Sequence, residues 1–270
     1  MRWRHGTTMV KIDLPACDEQ PPSRLIWIYL EPFLVGACCP VCAYGDRSAE
    51  RYLKSLLYEG VTDRFLRARL RRSLGLCHVH AWRAYDLPDA MFRDHVSLAV
   101  VYHDVAGCIL SVLREMRRVS RTPRPGFIQR TRQKKKAHQF GVASHMPFTD
   151  CPACEHQQYA EEAALSCLLT RVGDEIVAQR YREGPGLCLQ HLSSALERAA
   201  GTPGFELLLH CEIEKFEEIR HLLRALEERF DVRSDARPTR EEALAPAEIL
   251  GKLVGRNLRG KEADGHQSGL

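Results

Sequence analysis

The sequence predicts an all-α fold of two pseudo-repeated helical modules, and three observations carry that prediction. The first is a duplication. Cys39-Pro40-Val41-Cys42 followed by Gly75-Leu76-Cys77-His78-Val79-His80 recurs as Cys151-Pro152-Ala153-Cys154 followed by Gly186-Leu187-Cys188-Leu189-Gln190-His191, with 34 and 33 residues between the second and third cysteines. Glu50 and Glu162 each stand eight positions after a Cys-Pro-x-Cys, and Arg69-Leu70-Arg71 and Arg180-Tyr181-Arg182 each begin eight positions before a third cysteine. Shared register of this kind makes each copy one structural unit. The second observation is that apolar residues between the motifs follow a period near 3.6. The third is that strand signals are nearly absent: only Met9-Val10-Lys11-Ile12 and Leu25 to Tyr29 read as short extended pieces.

Residues 1–24 form an N-terminal segment ahead of the first module, residues 25–118. There a helix carrying Tyr44, Tyr52, Leu53, Leu56 and Leu57 follows Cys42 and stops at Gly60. A second runs from about Asp63 to Leu74, with Phe65, Leu66, Leu70 and Leu74 on one side, Asp63 favouring its start and Gly75 suited to cap its end. A third begins at the Cys-x-x-His, and a longer fourth spans Asp89 to Arg118. A basic linker, residues 119–145, leads to the second module, residues 146–230. Its second helix must stop at Gly184-Pro185-Gly186 and its fourth spans Phe205 to Phe230. The modules are expected to pack across their long fourth helices. In the tail, residues 231–270, the capping-box pattern Thr239-Arg240-Glu241-Glu242 starts a short helix carrying Leu244, Ile249, Leu250 and Leu253. Beyond Arg256 the composition is that of a disordered end.

A chain of 270 residues with 44% apolar content is ample for a globular core, and a net charge of +4 singles out no partner class. The N-terminus lacks the apolar core and cleavage site of a secretory signal. The apolar run from Leu25 to Ala37 is interrupted by Glu31 and Pro32 and is too short to cross a bilayer. A soluble, cytoplasmic protein is expected, with no membrane contact.

Six of the eleven cysteines belong to the repeated pattern, and clustered thiols kept reduced in a cytosol point to metal binding. Structural zinc takes four ligands, so a Cys-Pro-x-Cys knuckle needs a second ligand pair. On a helix Cys77 and His80 share a face, as do Cys188 and His191. The predicted ligand sets are therefore Cys39, Cys42, Cys77 and His80 in module one and Cys151, Cys154, Cys188 and His191 in module two. Each module is then built around a metal knuckle of three cysteines and one histidine, with two zinc ions per chain. An iron–sulfur cluster or a thiol redox pair is the alternative; histidine is an uncommon cluster ligand, and a set closed at four favours zinc. Cys77 and Cys188 at helix N-termini gain thiolate character from the dipole.

Arg69, Arg71, Arg180 and Arg182 are candidates to offset the negative charge of three thiolates, and Glu50 and Glu162 to accept from the ligand histidines. An exposed position on an amphipathic helix is the commoner use of both residue types. His78 and Cys38 face Leu189 and Asp150 in the other copy, so the matched His80 and Cys39 are preferred. Cys108, Cys167 and Cys211 read as small core residues, and His103 and His210 as packing residues. Phosphate-loop, Gly-x-Ser-x-Gly and His-Glu-x-x-His motifs are lacking, and a closed four-ligand metal has no position for water, so no catalytic residue is assigned.

The ordered pair of Cys-Pro-x-Cys and Gly-Leu-Cys-x-x-His, duplicated across residues 25 to 230, resembles an uncharacterised bacterial family, a domain of unknown function with duplicated metal-binding motifs. The resemblance implies a metal site and a bacterial origin and carries no activity with it. The expected role is that of an adaptor or regulatory interaction protein with a protein partner. Arg117 to Lys136, nine cations without an acidic residue, supports a nucleic-acid-binding alternative.

Overall fold

The computed structural model describes residues 21–87, 95–121, 151–229 and 237–255, and these contain ten α-helices and no strand. Helix α1 spans Pro21–Leu30 and passes through a single 3-10 turn, Glu31–Phe33, toward the first motif. Copy one then contributes α2 (Pro40–Tyr58), α3 (Arg64–Arg72), α4 (His78–Tyr85) and α5 (Val96–Arg121). Copy two repeats the order with α6 (Pro152–Arg171), α7 (Glu175–Glu183), α8 (Leu189–Ala199) and α9 (Pro203–Arg229), and α10 (Arg240–Val254) closes the fold.

Each Cys-Pro-x-Cys opens a helix instead of forming a free-standing turn. Cys39 and Cys151 are N-caps and Pro40 and Pro152 occupy the first helical position, where proline loses no hydrogen bond and presets φ. Cys77 and Cys188 are likewise the N-caps of α4 and α8. Asp63 caps α3 as its sequence position predicts, accepting from the backbone N–H groups of Phe65 and Leu66 at 2.7 and 2.8 Å. At the other end of α3 both Leu74 (φ 53°) and the expected Gly75 (φ 95°) have positive φ, and the Gly75 N–H returns to the Leu70 carbonyl at 2.7 Å.

The copies interlock along α2 and α6, not across the long helices α5 and α9 as the sequence suggests. The two helices run antiparallel: Gly45 faces Glu161, while Ser48 and Tyr52 meet His156, the rings of Tyr52 and His156 stacking at 4.8 Å. The cores record the same exchange. Leu53, Leu56, Leu57, Leu70 and Val101 of copy one enclose Cys151 and Ala153 of copy two. Leu165, Leu168, Tyr181, Leu187 and Leu208 of copy two enclose Cys39, Val41 and Cys42 of copy one. The long helices have other neighbours, α5 binding α3 through Asp104 with Arg67 and Arg71, and α9 receiving α10.

Leu25 to Tyr29 belong to α1 and are helical, not extended; Leu30 is fully buried and Arg171 of α6 stacks on Trp27 at 5.0 Å. Met9 to Ile12, Cys17, the start expected for the fourth helix at Asp89, most of the basic linker and everything after Gly255 lie outside the described residues. Helix α10 forms with its capping box, but Leu244, Leu250 and Leu253 are exposed and it docks through Ala245 and Lys252. Val96 to Arg118 of α5, and not the run from Leu25 to Ala37, is long and apolar enough to cross a membrane by length and composition, with only 11% of its most apolar stretch buried.

Candidate metal centres

All eight predicted ligands gather into two quartets, and the partition is the reverse of the predicted one. Cys39 and Cys42 of copy one meet Cys188 and His191 of copy two, and Cys77 and His80 of copy one meet Cys151 and Cys154 of copy two. No module closes its own site. The reason is the antiparallel packing of α2 on α6, which carries each Cys-Pro-x-Cys into the other copy's core, beside the other copy's Cys-x-x-His.

Four ligands of one tetrahedral zinc, with sulfur at about 2.3 Å and nitrogen at about 2.0 Å, stand about 3.8 Å apart sulfur to sulfur and about 3.6 Å apart sulfur to nitrogen. In the first quartet the His191 Nδ1 lies 3.5, 3.4 and 3.3 Å from the sulfurs of Cys39, Cys42 and Cys188, and Cys42 and Cys188 are 3.8 Å apart. In the second the His80 Nδ1 lies 3.3, 3.8 and 3.3 Å from Cys77, Cys151 and Cys154, and Cys77 and Cys154 are 3.5 Å apart. These distances match edges of a metal tetrahedron, all four ligand atoms of each quartet lie within 4.8 Å of one another, and the six thiols are unpaired by disulfides. Three sulfurs and one imidazole nitrogen are a donor set that fits a structural zinc ion.

Two helix N-termini point into each quartet: α2 and α8 into the first, α6 and α4 into the second. Their exposed N–H groups and dipoles favour the thiolate form and offset the surplus negative charge. The electrostatics follow the crowding of sulfur. Burial pushes His191 down, but its contacts with Cys188, Cys39 and Glu161 outweigh this and raise it to about 11. The contacts among the sulfurs hold Cys188 far below the ordinary thiol value, with His191 adding to this, and push Cys42 far above it, while burial and then Cys77 push Cys154 up. At Cys151, burial raises the thiol but the contact with His80 and backbone N–H groups bring it below the ordinary value.

The proposed cations are occupied elsewhere. Arg69 pairs with Glu155, Arg71 with Asp104 at 2.6 Å and Arg180 with Glu31 at 2.9 Å, while Arg182 presents its carbonyl to Lys215 and its side chain to Cys211. Glu50 pairs with Lys54 and Glu162 accepts from Gln158. The contacts to the ligand histidines come from Gln157 and Glu161. The His80 Nε2–H donates to Gln157 Oε1 at 3.0 Å, the Gln157 amide donates to Glu161 Oε1 at 2.8 Å, and Glu161 Oε2 lies 3.6 Å from His191 Nε2. Both rings are therefore oriented with Nδ1 toward the sulfurs. Glu161 reaches His191 only because Gly45 has no side chain; a Cβ there would occupy the place of the Glu161 side chain. Spacing offered one signal for both residues, since Gln157 and Glu161 stand three and seven positions after Cys154 on one face of α6.

His78 is exposed and Cys38 stands outside both quartets, so the preference for the matched residues holds. Burial and then the neighbouring Cys39 push the Cys38 thiol up, the opposite of what a reactive thiol needs. Cys167 and Cys211 are buried core residues.

No family model matches the chain, and no solved structure matches it. An uncharacterized 23.9 kDa protein in the xynA 3' region of Caldicellulosiruptor sp. (strain Rt8B.4) is similar, 25% identical over 202 residues that cover 73% of this chain and 84% of that protein. The similarity spans much of both chains without naming an activity.

Proposed function

We propose that the protein is a two-zinc scaffold, in which each ion clips one copy of the sequence to the other and the assembled body serves as an adaptor or regulatory interaction protein in the cytoplasm. The observation that carries this reading is the spacing of the quartets. In each, three sulfurs and one nitrogen lie within 4.8 Å of one another, the size of a single ion's coordination sphere. An iron–sulfur cluster spreads its ligands around two or four irons and would hold them farther apart. Because four protein ligands leave no open position, the zinc stabilises structure instead of activating water. The interaction role draws on α5, where Val96, Val100, Leu110 and Leu113 are exposed along one helix, an apolar surface of the kind partners cover. The duplicated motifs are also the basis for grouping the chain with the uncharacterised bacterial family that it resembles.

Metal analysis of the purified native protein tests the reading. About two zinc per chain in a colourless sample is expected. Iron with acid-labile sulfide, or a metal-free protein whose melting is unchanged by chelator, overturns it.

A further inference from the structure

The two quartets have the same ligands but not the same surroundings, and three independent features separate them. The first is exposure. Cys39, Cys42, Cys188 and His191 are all buried, whereas in the other quartet Cys154 is exposed and Cys77 only partly covered. The second is a cover. Helix α10 ends at the inner quartet, where Gly255 (φ 82°) is buried so close that a Cβ on it would lie 3.4 Å from the Cys42 sulfur and 3.5 Å from the Cys188 sulfur. Lys252 of α10 is 5% exposed and fixes the helix there, donating to the Leu187 carbonyl at 3.0 Å, one residue before Cys188, and pairing with the buried Glu212. Glu212 in turn accepts from the Leu187 N–H at 2.8 Å and from the Tyr181 hydroxyl. The corresponding N–H in copy one, that of Leu76, meets the neutral hydroxyl of Tyr102 at 3.4 Å, with no lysine and no covering helix among the described residues. The third is the group behind the histidine, a carboxylate, Glu161, at the inner site and a neutral amide, Gln157, at the outer one. A carboxylate makes its imidazole a stronger donor to the metal than an amide does.

Resting on the zinc reading above, we infer that the sites divide the work: the inner quartet holds its ion permanently, and the outer quartet, Cys77, His80, Cys151 and Cys154, is an exchangeable site for a thiophilic divalent cation. Exchange at a closed tetrahedral site begins when an incoming chelator or ligand displaces one protein thiolate. Cys154 offers solvent that opening, and no inner ligand does. The outer site is thus the place where metal availability can be read by the protein, since its filling decides whether the start of α4 stays joined to the start of α6 while the inner clip keeps the copies together.

The test is chelator competition on the full-length, zinc-loaded protein, with zinc release followed by a colorimetric dye and iodoacetamide pulses mapped by mass spectrometry. Outer-sphere partners change metal affinity by about 10–100-fold, so one zinc per chain should leave at least about tenfold faster than the other. Cys77, Cys151 and Cys154 should become alkylated in that phase while Cys39, Cys42 and Cys188 remain protected. Lys252→Met should accelerate the slow phase and leave the fast one unchanged. Both ions leaving in one phase, or the inner cysteines reacting first, overturns the division of work, and an unchanged slow phase in Lys252→Met removes α10 as its cause. A native preparation containing no zinc defeats the underlying metal reading instead, an outcome distinct from two zinc ions that leave together.

Discussion

At residue 184 a side chain of any size would run into the carbonyl oxygen of Leu34, because the loop that follows α7 passes directly against the turn between α1 and α2. Two backbones in contact cannot give way as a flexible side chain can. Gly184→Ala should therefore cost about 1–3 kcal/mol, seen as a lower melting temperature of the zinc-loaded protein. Gly173→Ala is the matched control, since a Cβ there meets nothing within 4 Å, and melting unchanged or slightly raised is expected. Single residues were legible in the sequence where chemistry and repetition agreed: the eight residues that gather into the two quartets could be named because cysteine and histidine at those spacings have few other uses. Gln157 and Glu161 escaped because repetition was the filter. The matching positions of copy one are Gly45 and Ala49, so residues that orient both histidines had no counterpart to mark them, and the contact made by Glu161 depends on a gap in a distant helix.

Helix ends were the most legible parts of the elements, since a cap is a local device. Asp63 and the box of Thr239 with Glu242 sit where their side chains predict. Leu25-Ile26-Trp27-Ile28-Tyr29, by contrast, has the aromatic and β-branched composition of a strand and is helical, because packing on α6 decides the conformation of so short a segment. The Thr239 hydroxyl accepts from the Glu242 N–H at 3.2 Å, the Glu242 carboxylate returns to the Thr239 N–H at 2.8 Å, and the same carboxylate holds Arg229 of α9 at 2.6 Å. Thr239→Ala should cost about 1 kcal/mol and loosen the first turn of α10. Faster amide hydrogen exchange confined to that turn, with both metal sites intact, is the expected result. Exchange spread evenly over the protein would show that α10 does not form as a separate step.

At the scale of the whole molecule the helical fold and the two clusters were legible and the way the motifs pair was not. Sequence spacing places the second ligand pair of each copy after its first, and a self-contained module is the shortest way to join them. The antiparallel packing of α2 on α6 is a long-range choice made by Leu53, Leu56 and Leu57 on one side and Leu165 and Leu168 on the other, and no local pattern records it. Fragments decide between the two assemblies. With residues 1–130 and 131–270 produced separately, self-contained modules would each fold and hold one zinc. Exchanged quartets leave each fragment with two half-sites and no complete one, so neither alone should retain zinc against a chelator. Mixed with two equivalents of zinc they should form a one-to-one complex that survives gel filtration, since each closed site contributes on the order of 10 kcal/mol. Adding EDTA should part them. In the intact chain the same logic makes Cys77→Ser a lesion of both copies, because the ligands it abandons are Cys151 and Cys154 at the start of α6; hydrogen exchange should rise at α6 as well as at α4, and a rise confined to copy one would reinstate the self-contained module.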